Sequence, residues 1–64
     1  MNDGDDVLSL LKKKLRVQMN EIADSVSLGS AKNMEDYRKM CGIIEGLAWA
    51  EREVIDIEDR LRKF

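Results

Sequence analysis

Sixty-four residues with 11 Lys or Arg against 13 Asp or Glu, no His and one Cys describe at most one domain. A chain this short is marginal for a self-sufficient core, and it holds neither an internal disulfide nor an ordinary zinc ligand set, so partner chains are the remaining way to complete the core. A net charge of -2 excludes a general electrostatic preference for nucleic acid or anionic membrane, and no apolar run approaches the ~20 residues of a bilayer span.

The opening Met1-Asn2-Asp3-Gly4-Asp5-Asp6 is acidic where a signal or transit peptide is basic, so synthesis in the cytosol is expected, with the lone thiol reduced. Its Asn and Asp side chains suit a helix N-terminus, and a first helix is predicted over about 5–27. Leu8, Leu11, Leu15, Met19, Ile22 and Val26 recur every three or four residues, a narrow apolar stripe that needs one principal neighbour.

Ser27-Leu28-Gly29-Ser30-Ala31-Lys32-Asn33 breaks the pattern. Gly29 suits the left-handed position that closes a helix, and Asn33 followed by Glu35 and Asp36 suits the start of another. A turn over 28–33 is short enough to fold the second helix back antiparallel, so an αα-hairpin is expected. Asp3, Asp5 and Asp6 would then lie near Arg60, Arg62 and Lys63, while Lys12, Lys13 and Arg16 would face the half containing Glu45, Glu51 and Glu53. Such surface pairs are worth about 0–1 kcal/mol each and set orientation more than stability.

The second helix is predicted over about 34–63, roughly two turns longer than the first, so that its end overhangs. Met40, Ile43, Leu47, Ala50, Val54, Ile57, Leu61 and Phe64 form one stripe; Tyr37, Cys41, Ile44, Ala48 and Ile55 form a second. Together they cover more of the circumference than one neighbour can bury. The fold class that follows is all-α, a two-helix hairpin that assembles into a bundle by oligomerisation.

Gly42, Gly46 and Ala50 line up every fourth residue, which would let another backbone approach closely beside Trp49. Two helix glycines cost about 2 kcal/mol relative to alanine, so a packing reason is expected. Trp49 lies outside both stripes and reads as an interface anchor. Cys41, with no histidine to activate it, reads as a buried inert thiol, and Met19, Met34 and Met40 as gap-filling apolar residues.

Lys12, Lys13, Lys14 and Arg16 form the one basic cluster; they fan around the helix and read as a solvated, salt-bridging surface. Several copies brought together in an oligomer would make the cluster a nucleic-acid contact. Asp56, Glu58 and Asp59 fall on different helix faces and read as surface charge. No catalytic constellation, cofactor motif or metal-ligand spacing is evident, and an enzyme is not expected.

The pattern Leu28-Gly29-Ser30, Asp36-Tyr37 and Met40-Cys41-Gly42-x-Ile44-x-Gly46-Leu47-x-x-Ala50-Glu51-Arg52-Glu53-x-x-Asp56-Ile57 resembles short proteins encoded among the virion-morphogenesis genes of tailed bacteriophages. The resemblance spans roughly residues 8–60 and carries no catalytic motif. It implies a virion part or assembly accessory, made in the host cytoplasm and present in the virion, whose partners are itself and a larger protein such as capsid, portal or connector. Nucleic acid is disfavoured as a partner, and a membrane is not expected.

The expected interface comprises Tyr37, Cys41, Gly42, Ile44, Gly46, Trp49 and Ala50, with Val54, Ile57, Leu61 and Phe64 in the overhanging end. Two other readings use the same architecture: a dimeric four-helix regulator that binds RNA or DNA, by analogy with a plasmid copy-control protein, and a small phage inhibitor of a host protein.

Overall fold

The computed structural model describes residues 3–63, with side chains from residue 6 to residue 63. Two helices, α1 (Asp3–Ser27) and α2 (Met34–Arg62), pack against each other as an all-α hairpin, with no strand among the described residues. The result is a rod 48 Å long and 14 × 11 Å across.

The turn is built by the residues expected to build it. Gly29 has φ +76°, and its N–H donates to the Val26 carbonyl while the Ser30 N–H donates to the Ser25 carbonyl. These paired bonds close α1 by capping carbonyls that have no partner within the helix. Asn33 then starts α2: its Oδ1 accepts from the Asp36 N–H at 2.8 Å, and the Asp36 carboxylate accepts from the Lys32 N–H at 3.3 Å. Glu35 and Asp36 place negative charge in the first turn, where the helix dipole favours it.

The helices meet along a seven-residue repeat. On α1 the seam positions, each partly or fully buried, are Leu8, Lys12, Leu15, Met19, Ile22 and Val26; on α2 they are Met40, Ile44, Leu47, Glu51, Val54 and Glu58. Alternating steps of three and four keep one seam facing one neighbour. Met19 and Val54 form the buried apolar centre, at 5% and 6% exposure, and Glu58 is buried with them at 3%.

Several expectations change as a result. Leu11 is exposed, and Lys12 takes the seam position beside it. The seam of α2 runs between the two predicted stripes, taking Met40, Leu47 and Val54 from one, Ile44 from the other, and adding Glu51 and Glu58 from neither. Glu58 is therefore buried, whereas the sequence reading made it surface charge. Ile44 and Val54, assigned to an external interface, belong to the hairpin's own packing. Finally, α2 exceeds α1 by four residues, 29 against 25, so the difference in length is about one turn.

Candidate protein-interaction surface

In an antiparallel pair one helix is turned end for end, so like flanks of the two helices meet and the hairpin has two broad faces. The first carries the cross-helix ion pairs. Lys12 Nζ lies 2.9 Å from Glu58 Oε1, Ser9 Oγ donates to Glu58 Oε2 at 3.4 Å, and Arg16 reaches Glu51 Oε1 at 2.7 Å. The hydrogen bond from Lys12 holds the Glu58 carboxyl below its usual pKa against the opposing effect of burial; the nearby Lys12 and Arg62 charges and Ser9 act in the same direction. Half-exposed Ile55 and Tyr37 share this flank of α2, with partly buried Ala48 and Cys41.

Arg60 and Arg62 pair within α2, with Asp56 at 3.2 Å and Asp59 at 3.8 Å. The side chains of Asp3 and Asp5, expected to lie near these arginines, are outside the described residues. Of the basic cluster, Lys12 and Arg16 are held by glutamates, and Lys13 and Lys14 stand exposed on other sides of α1. Neutralised pairs contribute little to phosphate binding, which disfavours the nucleic-acid reading.

The opposite broad face is apolar. Leu11 and Val7 on α1 and Ile57 and Leu61 on α2 occupy the flanks that meet there, near the open end of the hairpin, and all four are exposed. Ile43 continues the face toward the turn, with partly buried Ala50 between. Sequence periodicity alone misassigned this face: Leu11 fits a three-four spacing as well as Lys12 does, and a search confined to apolar residues selects Leu11. Ile57 and Leu61 are exposed, but because Glu58 pairs with Lys12 they lie alongside α1 and not on the overhanging end expected for them. Phe64 lies outside the described residues.

The outer edge of α2 is a third surface. At 100° per residue, Trp49 lies diametrically opposite the seam, and it is 70% exposed. Glu45, Ala48, Trp49, Arg52 and Glu53 line an open depression of about 530 Å³ there. Gly42 and Gly46 are exposed beside Trp49, and a Cβ built on either would meet nothing within 4 Å. The small-residue line thus makes no close crossing inside the hairpin, and any backbone that uses it must come from outside. On α1 the exposed Leu10 and Val17 are likewise turned away from the seam.

Cys41 is half-buried, more accessible than the buried thiol expected. Tyr37 lies one turn earlier, and the influence of the Cys41 thiol, followed by partial burial, raises the Tyr37 phenol pKa. Among the described residues no cluster of three or more His, Cys, Asp or Glu side chains is placed to hold a metal ion, and no helix is long and apolar enough to cross a membrane. In comparisons with known proteins, no family model matches the chain, and no curated protein or solved structure matches it.

Proposed function

We propose that the chain is a non-enzymatic assembly protein of the tailed-bacteriophage type, which self-associates and attaches to a larger virion component such as capsid, portal or connector. The observation that carries this reading is the outer edge of α2. There the single tryptophan is 70% exposed, one turn beyond Gly46 and two beyond Gly42, whose added Cβ atoms would meet nothing within 4 Å. Exposed aromatic residues beside small ones supply both an anchor and room for an approaching backbone. A helix glycine costs about 1 kcal/mol, and the hairpin recovers nothing from either one. The resemblance to phage morphogenesis proteins gives the larger partner its class.

The test is capture by immobilised wild-type, Trp49→Ala and Gly46→Leu chains from phage-infected cells and from disrupted virions, with bound proteins identified by mass spectrometry. A virion protein retained by the wild type and lost from both variants, with helicity unchanged by circular dichroism, is the expected result. A host enzyme in that position would replace this reading with the inhibitor reading. Identical captures by all three baits would remove the α2 edge from the proposal.

A further inference from the structure

Three quantities describe a half-filled structure. The hairpin exposes 5254 Å². A folded monomer of its 7.4 kDa should expose about 4,200 Å², so roughly 1,000 Å² is in excess. One partner's share of a standard protein interface is about 800 Å². The Cα radius of gyration, 14.8 Å, is also far above the ~11 Å of a compact 64-residue chain and near the ~14 Å of one twice as long.

The arrangement of charge and apolar residues shows where the missing contact belongs. At two matched places in the open half of the hairpin the seam position is charged and the adjacent flank position is apolar: Lys12 beside Leu11, and Glu58 beside Ile57. A hairpin built only for its own stability would have these residues the other way round, with leucine and isoleucine in the seam and the charges in water. Leu11 and Ile57 instead stand 42% and 45% exposed on one broad face, joined there by Val7 and Leu61. The opposite face receives the ion pairs.

We infer that the Val7–Leu11–Ile57–Leu61 face is covered by a second copy of this chain, giving a four-helix dimer layered through that face. The matched apolar positions come from both helices of one chain, so the face can meet its own copy as a self-complementary patch. This inference rests on the self-associating part of the proposed function. It assigns the contact to a face separate from the Trp49 edge and leaves that edge free for the larger partner.

Light scattering and sedimentation equilibrium across a concentration series test it, using Ile57→Glu and, as the matched control, Ile55→Glu on the ion-pair face, where the wild-type side chain is 40% exposed. Wild type and Ile55→Glu should run at twice the 7.4 kDa chain mass, with Ile57→Glu dissociating at least tenfold more readily. A monomeric wild type at all concentrations, or equal dissociation of the two variants, would overturn the assignment. Should Ile57→Glu lose its helicity, spin labels at residues 57 and 55 in a Cys41→Ser background decide instead. The label at 57 should immobilise as concentration rises while that at 55 stays mobile, and the reverse would refute the proposal. A monomer that still captures a virion protein through Trp49 would remove self-association, and this inference with it, and leave the attachment standing; a dimer dissociated equally by both variants would fail the face assignment alone, and a dimer that captures nothing would fail only the attachment to a larger component.

Discussion

Lys12 and Glu58, 46 residues apart in sequence, meet at 2.9 Å in the hairpin seam, where a seven-residue repeat calls for apolar side chains. Glu58 is buried and accepts from both Lys12 and Ser9, so removing one partner strands a carboxylate away from water. Lys12→Ala should lower Tm by about 5–10 °C. The double substitution Lys12→Leu with Glu58→Leu should instead match or exceed wild type, because two apolar seam residues need no partners. Thermal melts by circular dichroism compare the three chains; a double variant as unstable as the single one would refute this account.

The same pair makes stability depend on acid. Hydrogen bonding from Lys12 lowers the folded-state pKa of Glu58 below its ordinary value, 4.5, so the unfolded chain binds more protons in the window between the two. The contribution is therefore complete above the ordinary carboxylate pKa and is lost as pH falls through the lowered one. Melts of wild type and Glu58→Gln between pH 7 and pH 2 should converge at the acid end. Parallel curves throughout would show that Glu58 is not the group responsible.

Met19 and Val54 are the most buried apolar side chains, at the middle of the rod. Met19→Ala should cost about 2–3 kcal/mol, near the low end for core truncation because a seam between only two helices can close on the space left. Urea unfolding followed by helicity measures this. Leu28→Ala, at a fully solvated turn position, should change stability by less than about 0.5 kcal/mol in the same assay.

Two glycines should respond in opposite directions. Gly46 is in mid-helix with open space where a Cβ would go, so Gly46→Ala should stabilise the isolated protein by about 1 kcal/mol, or roughly 4–8 °C in Tm. Gly29 has a left-handed backbone, so Gly29→Ala should destabilise by about 1 kcal/mol even though no atom obstructs the added methyl. If Gly46→Ala destabilised, the residue would already be packed in the isolated protein.

Asn33 begins α2 by accepting from the Asp36 N–H, a bond whose donor has no partner inside the helix. Asn33→Ala should lose about 1 kcal/mol, and Asn33→Asp or Asn33→Ser should retain most of it. Equal melting of all four chains would show that the cap contributes nothing.

Local chemistry determined much of this protein in advance. Gly29, Asn33 and Asp36 mark the turn because left-handed backbone and N-terminal capping are properties of single residues and their near neighbours. The absence of proline and the three-four recurrence of Leu8, Leu11, Leu15, Met19, Ile22 and Val26 likewise suffice for an α1 that packs on one neighbour, with Leu11 the one member misplaced, and Trp49 is recognisable as an outlier from its position on the wheel. Only the tertiary structure decided which rotation each helix adopts. Leu11 and Lys12, or Ile57 and Glu58, differ by 100° around the helix, and hydrophobicity alone favours the apolar member of each pair. The charged members enter the seam because each finds an opposite charge 46 residues away, an energy that exists only once both helices are in place. That rotation carries Leu11 and Ile57 onto the exposed face and draws Ile44 and Val54 inside, so the surfaces left for partners follow from the pairing and not from either helix alone.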